Sequence, residues 1–456
     1  MTPRSRSIAG LIGGVAALLG VVGCAIVDPA AASAGWLVGF VFWAQIPVGS
    51  LSLMMIHRLT SGDWGEIIAP ATEPAAASIP LLVLLAVPIF VAIPALYPWA
   101  QQPPTVKPDV LSLYLNRPAF VVRSLVALAG WSALAFLLPR AAGARGQLLA
   151  AFGLVFHAAI ISSVSIDWYL SMEAPFTSSS FGASVAVSSL VAALAWAAVW
   201  MPAPDDEPAV GDVGALLLAT ILGITYIDFM AVLVIWYSDL PREEVWFVAR
   251  GDLPWTALAV AAFALGSLIP TLALIQSRVR NNRRPLRVIG LTTLVGIAAN
   301  DAYLIAPPRG VAVLASALLA IIGIGLIIIG VSPFLARRGP RPFAWGDARC
   351  PVSTIISATS PNRRMLAWLS WAGQRWARCS CSWCRSAAST ESITPWRPQG
   401  VCRLLRRSHS RAWTHPKARS CGALPMLRAR RSKPGNGRIS STRRCRCQSN
   451  GRCNCS

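Results

Sequence analysis

The stretch GALLLATILGITYIDFMAVLVIWY, residues 214–237, decides the fold class of this chain. It contains one charged side chain, Asp228, among apolar, small and aromatic residues. About 20 apolar residues in a helix cross the hydrocarbon core of a bilayer, because a helix satisfies its own backbone hydrogen bonds there. The stretch therefore predicts a transmembrane helix.

Nine further stretches pass the same test, so the sequence predicts an all-α polytopic membrane protein with about ten transmembrane helices. Hydrophobic residues make up 55% of the 456 residues and charged residues only 13%. Soluble proteins carry roughly a quarter charged residues, so this composition excludes a soluble fold for most of the chain. The predicted spans are 8–27, 35–57, 75–97, 119–138, 147–166, 180–201, 214–237, 254–276, 285–305 and 312–334.

The formal net charge of +22 is concentrated near the end of the chain. Residues 1–342 hold 19 Lys and Arg against 17 acids, and residues 343–456 hold 22 against 2. Of the 11 cysteines, only Cys24 precedes this basic segment. We therefore divide the chain into a transmembrane domain, 1–341, and a basic tail, 342–456, which lacks the apolar content of a core and is expected to be disordered.

Three interpretations of the tail stay open. Cys379, Cys381 and Cys384 could ligate zinc with the later cysteines, although their spacing is irregular for such a site. Arg-rich tails also bind nucleic acid or anionic lipid by simple electrostatics. Translation of GC-rich DNA in a shifted frame yields this mixture of residues, and we favour that origin. We expect no specific nucleic-acid partner.

Positive charges in the short connections orient the chain, because Lys and Arg are retained in the cytoplasm. With the N-terminus inside, the thirteen inner charges are Arg4, Arg6, Arg58, Arg140, Arg145, Arg278, Arg280, Arg283, Arg284, Arg287, Arg337, Arg338 and Arg341. The five outer charges are Lys107, Arg117, Arg242, Arg250 and Arg309. The count predicts a multi-pass protein of the cell inner membrane with both termini cytoplasmic. A rival interpretation has a lipoprotein-type cleavage site at Cys24, after VVGC.

Ionisable side chains inside a span are costly, and each is a functional candidate by default. The candidates, with the residues at the outer end of the fifth span, are Arg123, His157, Asp228, Asp301, Asp167, Trp168 and Glu173. Under the predicted topology Arg123 shares the outer face with four acids, which are Asp167, Glu173, Asp239 and Asp301.

Two interpretations of this outer cluster stay open. Arg123 and one carboxylate could form a structural ion pair. Alternatively, the cluster is a quinol or proton site, because quinol oxidation needs proton acceptors beside an apolar slot for the ring. The second hypothesis makes Asp167, Glu173 and Asp301 the proton acceptors. It makes Arg123, Trp168 and Tyr226 the lining of the quinol pocket.

Asp228 and His157 lie near the middle of their spans and are candidates for a proton path. Thr225 and Tyr226 flank Asp228 and could hydrogen-bond it, so Asp228 is either a proton relay or a satisfied structural acid. A lone histidine is more often a packing residue than a ligand, and a di-haem bundle needs paired histidines on facing helices. We therefore expect no haem and no metal in this chain.

Six motifs in order resemble one of the two large integral-membrane subunits of alternative complex III, which belong to the NrfD or polysulfide-reductase membrane-anchor family. They cover roughly residues 35–310. They are GSLSLMMIHRLTSGDWG at 49–65, LYPWA at 96–100, the stretch from Lys107 through YLN at 114–116 to Arg123, SIDWYLSMEAP at 165–175, VIWYSDLPREEVWF at 234–247 and the Asp301-x-Tyr303 region before Pro307. The chain departs from this pattern where Met230 and Ala231 replace a Ser-Gln pair.

The resemblance implies two four-helix bundles, spans two to five and six to nine, flanked by the first and last helices. It also implies a component of a respiratory quinol:cytochrome c oxidoreductase in the electron transport chain, without a redox centre of its own. Haem and iron–sulfur clusters would reside on partner subunits, which are cytochrome c subunits, an iron–sulfur protein and a paralogous membrane subunit. The alternatives are the anchor of another NrfD-type reductase, acting on polysulfide or nitrite, and a secondary transporter.

Overall fold

The computed structural model describes residues 3–101, 107–173, 176–202, 208–238 and 241–336, together with two short strands near the C-terminus. The chain divides into two units, Met1–Arg349 and Cys350–Ser456. In the second unit, β1 (Arg446–Cys447) pairs antiparallel with β2 (Cys453–Asn454), and Cys447 lies opposite Cys453. The remaining predictions about the tail concern residues outside the described ones.

The first unit is built from helices. They are α1 Pro3–Val27, α2 Pro29–Thr60, α3 Asp63–Ala77, α4 Ile79–Val91, α5 Ile93–Leu96, α6 Pro108–Leu113, α7 Arg117–Leu137, α8 Gly143–Trp168, α9 Phe181–Trp200, α10 Pro208–Ser238, α11 Pro241–Val248, α12 Leu253–Phe263, α13 Ile269–Ile275, α14 Ser277–Arg280, α15 Arg283–Ile305 and α16 Ala312–Ala336. Short 3-10 turns occur at Pro98–Ala100, Leu138–Arg140, Leu170–Met172 and Pro307–Arg309, and a π-helical turn, Ala264–Leu268, joins α12 to α13.

The predicted number of spans is confirmed. Among the described residues, nine helical segments are long and apolar enough to cross a membrane. The bent pair of α3 and α4, which meet at 43°, makes a tenth span when it is counted as one broken helix. The first unit is therefore an all-α, multi-pass membrane domain.

The two-bundle arrangement is also confirmed. In the first bundle, α2 contacts α3 and α8, and α7 contacts α4 and α8. In the second bundle, α9 contacts α10 and α15, while α12 and α13 complete the ring between α10 and α15. The flanking helices α1 and α16 pack on each other and on α2.

The two bundles meet where α2 and α9 approach closely. A Cβ atom at Gly49 would overlap the backbone oxygen of Ser189, so only glycine fits at this crossing. Small residues let membrane helices bring their backbones together, which maximises van der Waals contact where lipid removes the hydrophobic driving force. Gly49 therefore fixes the distance between the bundles.

The third span begins at Asp63 in the structure, so the predicted start at residue 75 is wrong. The helix begins at Asp63, whose carboxylate lies in the first turn together with that of Glu66. Acidic side chains in the first turn stabilise a helix through its dipole, although they lower the hydropathy from which spans are predicted. The span then bends around Ser78, where Pro80 cannot donate a backbone hydrogen bond.

Candidate functional site

The candidate site residues fall into three polar sites at the predicted outer ends of α7, α8 and α15, with Asp228 and His157 apart from them. Each site is built around one acid, and each acid has a different set of partners. The three acids are Asp167, Glu173 and Asp301.

The first site is an ion pair between α7 and α8. Arg123 donates to both carboxylate oxygens of Asp167, from Nε at 2.7 Å and from Nη2 at 2.8 Å. Its Nη1 donates to the backbone oxygen of Tyr114 at 3.0 Å, and its guanidinium lies 3.8 Å from the centre of the Tyr114 ring. Asp167 is buried and Arg123 is partly exposed. A two-pronged pair of this kind fixes the relative orientation of the two side chains.

The second site ties a connection on the outer face to the end of α15. Arg250 is buried and donates to both carboxylate oxygens of Glu173, from Nη1 to Oε2 at 3.1 Å and from Nη2 to Oε1. Nη2 also donates to the backbone oxygen of Leu304 at 3.2 Å, and the guanidinium lies 3.6 Å from the centre of the Trp246 ring. Phe176 stacks on the same tryptophan. Arg250 therefore holds three chain segments together.

The third site has no charged partner for its acid among the described residues. Asp301 in α15 is 2% exposed, and its Oδ2 accepts a hydrogen bond from Gln45 Nε2 in α2 at 2.7 Å. The Tyr169 hydroxyl lies 3.4 Å from the other carboxylate oxygen. Gln45 in turn accepts from Ser188 in α9 at 2.6 Å. This network crosses the contact between the two bundles.

A small cavity adjoins this network. Gln45 and Tyr169 contribute to its wall, together with Trp131, Trp168 and apolar residues of α2, α8 and α9. Its volume of about 20 Å³ holds about one water molecule. An aromatic ring is several times larger, so this cavity is large enough for a water molecule but too small for a quinol ring.

Of the remaining residues of the predicted quinol pocket, Arg123 and Trp168 share the contact between α7 and α8, and Tyr226 lies on another helix. Trp168 is buried in the first bundle, where its indole donates to the Ser124 hydroxyl at 3.0 Å. Tyr226 is on α10 of the second bundle and is 64% exposed. Arg123 is already engaged with Asp167. The structure therefore brings two of these three residues, Arg123 and Trp168, to one helix contact and leaves Tyr226 on a different helix.

Asp228 has one hydrogen bond in the described structure. The Ser184 hydroxyl of α9 donates to its Oδ1 at 2.5 Å. The proposed support from Thr225 is not seen, because the Thr225 hydroxyl donates to the backbone oxygen of Ile221 in its own helix. Asp228 is exposed at the surface of the unit.

His157 is packed inside the first bundle. It is 7% exposed, and its Nδ1 has no hydrogen-bond partner among the described residues. The ring lies 5.9 Å from that of Trp131, whose indole nitrogen also lacks a partner there. Trp131 lines the small cavity but His157 does not, and a proton path through His157 stays a prediction.

Two tyrosines that lie outside the membrane-crossing segments of the structure border the first site, since the broken third span ends at Val91 and not at the predicted residue 97. Burial raises the pKa of Tyr97, and the nearby charge of Asp167 raises that pKa further. Burial likewise raises the pKa of Tyr114, reinforced by Asp167 and opposed by Arg123. Both phenols therefore stay protonated near neutral pH, and neither carries charge at the outer face.

Three partners were missed by sequence reasoning. Gln45 was the detectable one, because it is a polar residue within an otherwise apolar span. Arg250 was counted only as a loop charge, and Tyr169 was quoted only as part of a motif. Asp239 lies outside the described residues. The part of the chain that the structure describes contains no group of three or more His, Cys, Asp or Glu side chains placed to hold a metal ion.

Comparison with known proteins adds no assignment. No protein-family model and no curated protein matches this chain.

Proposed function

We propose that this chain is an integral-membrane subunit of a respiratory quinol-oxidising assembly, in which it provides a scaffold and a proton path through Asp301. The observation that carries the proposal is the environment of this acid. Asp301 is almost completely buried at membrane depth, and its hydrogen-bond partners are the neutral side chains of Gln45 and Tyr169.

Neutral partners suit a group that exchanges protons. A carboxylate locked to an arginine must break a salt bridge to take up a proton, whereas Asp301 can be protonated while Gln45 reorients its amide. A cavity for about one water molecule lies beside Gln45 and Tyr169. Proton transfer through a positioned side chain or one water is the usual form of general acid–base chemistry.

The two ion pairs suit a scaffold role. Arg123 with Asp167 joins α7 to α8, and Arg250 with Glu173 joins the outer connections to α15. Both arginines donate hydrogen bonds to protein oxygens, so neither guanidinium can bind a substrate in this arrangement. Their contribution is to hold the outer face in shape around the Asp301 network.

The choice of quinol chemistry rests on the six motifs that resemble the membrane subunit of alternative complex III. On this proposal the chain binds no cofactor of its own, and quinol is the substrate of the assembly. Haem and iron–sulfur clusters reside on partner subunits, beside a paralogous membrane subunit. The assembly lies in the inner membrane, with the N- and C-termini of this chain in the cytoplasm.

Substitution of Asp301 tests the proposed proton path. Asp301→Asn keeps the size of the side chain and its ability to accept from Gln45, but it removes the titrating group. We expect the purified assembly to form in normal yield while quinol-dependent cytochrome c reduction falls by at least about tenfold.

Asp167→Asn is the matched control, because it makes the same chemical change in a carboxylate that is bound to Arg123. This variant should lower the yield of assembled protein and leave turnover per assembled complex unchanged. Normal turnover in Asp301→Asn would remove Asp301 from the proton path.

A further inference from the structure

The helix α10 is packed against its bundle in only one half of its length. Val213, Leu217 and Ile221 are fully buried in the predicted inner half. Asp228 follows Ile221 by seven residues, about two helical turns, and so lies on the same side of the helix. It is nevertheless exposed. The bundle therefore covers this side of α10 near the inner surface and leaves it open towards the outer surface.

The open side of α10 is mostly apolar. Phe229, Val232 and Trp236, which lie within about a quarter turn of Asp228, are each about half exposed or more. Of the residues in the most apolar segment of α10, 6% are buried, against 56% for α9. Lipid tails could cover these apolar side chains without cost, but they cannot solvate a carboxylate.

Asp228 lies deep in the membrane on this open side. It is ten residues from Ser238, or about 15 Å along the helix axis. The one hydrogen bond shown to its carboxylate comes from Ser184 and reaches Oδ1. Intramembrane charges almost always face a protein interior, a water-filled cavity or a partner charge. The second carboxylate oxygen of Asp228 therefore needs a hydrogen-bond donor, and the described part of the chain shows none.

A second copy of this chain does not fit the position. Among the described spans, Arg123 is the arginine farthest from a helix end, and it is already paired with Asp167. His157 lies at mid-span but is buried in the first bundle. Two copies related by symmetry across this side would bring two Asp228 carboxylates together, and like charges at close range repel.

We propose that a transmembrane helix of a different subunit packs against the open side of α10 and donates a hydrogen bond from a basic side chain to Asp228. The open half of α10 provides the apolar contact, and the carboxylate fixes the depth and register of the partner. The proposal needs only the membrane fold and does not depend on quinol chemistry.

Site-specific photocrosslinking of the full-length chain in native membranes tests this interface. A photoreactive residue at Val232, one turn beyond Asp228, should form an adduct with a membrane protein. The crosslinked peptide should lie in a membrane span with a Lys, Arg or His within about one helical turn of the crosslink. The matched control is Phe152 on α8, which is 72% exposed and should give lipid adducts.

Two substitutions show whether the adduct depends on the carboxylate. Asp228→Leu should reduce the adduct yield from Val232 several-fold, whereas Ser184→Ala keeps the carboxylate and should retain it. If Asp228→Leu fails to accumulate, replacing the basic residue of the partner by Leu should cause the same loss in the otherwise unchanged chain. The proposal would be overturned if Val232 formed adducts only with lipid or with a second copy of this chain. It would also be overturned if neither Asp228→Leu nor the partner substitution reduced the adduct yield.

Discussion

The acidic side chains in the membrane-crossing helices of this protein differ in their hydrogen-bond partners. Asp167 is held by the two-pronged guanidinium of Arg123, which fixes its orientation. Asp301 is held by an amide and a phenol, which support either protonation state. Asp228 has a single hydroxyl donor and an open side. On our proposals, partner chemistry separates a structural acid, Asp167, from a proton carrier, Asp301, and a docking group, Asp228.

Loss of the arginine in the first ion pair should destabilise the protein. Arg123→Gln leaves Asp167 buried without its counter-charge, and breaking a buried pair typically costs about 3–5 kcal/mol. We expect a clear drop in the yield of folded protein in mild detergent. Arg117→Gln, at the exposed start of the same helix, should leave the yield unchanged. An unaltered yield for Arg123→Gln would contradict the structural role of the pair.

The sequence predicted which acids lie in or beside spans but could not predict their partners. Arg123 and Asp167 were assigned to the same face, and the structure shows them bonded. Arg250 carries the same charge in a connection of irregular hydropathy, and only the tertiary fold shows that it is buried against Glu173. Side-chain pairing between distant helices depends on packing, which no local pattern contains.

At the level of elements, long apolar stretches determine where the helices form, and polar and proline residues determine where each helix begins and ends. Asp28 accepts hydrogen bonds from the backbone nitrogens of Ala30 and Ala31, with Pro29 at the first helical position of α2. This arrangement begins α2 six residues before the predicted residue 35. The apolar cores of the spans were therefore predictable, whereas their ends and the early start of α3 depend on polar and proline residues that hydropathy discounts.

The close crossing of α2 and α9 makes Gly49 intolerant of a larger residue. Gly49→Leu should force the bundles apart, because its side chain would overlap the backbone of Ser189. We expect a lower thermal unfolding temperature in detergent. Gly23→Leu is the matched control, since nothing lies within 4 Å of a Cβ atom at that helical glycine. Equal stability of the two variants would show that the crossing tolerates a side chain.

At the scale of the whole molecule, the charge count predicts an orientation that the fold alone does not test. A reporter fused after Arg341 should be active only on the cytoplasmic side, and one placed in the connection 239–252 only on the periplasmic side. Swapped activities would reverse the orientation and place the Asp301 network at the cytoplasmic surface.

Isolation of the intact chain with its partners tests the central claim most directly. An affinity-tagged copy should be solubilised in mild detergent from the native membrane, and the eluate assayed for haem absorbance, iron–sulfur signals and quinol-dependent cytochrome c reduction. We expect all three to purify together with this chain. A chain that purifies alone and moves a solute across liposome membranes would contradict the proposed function and favour a secondary transporter.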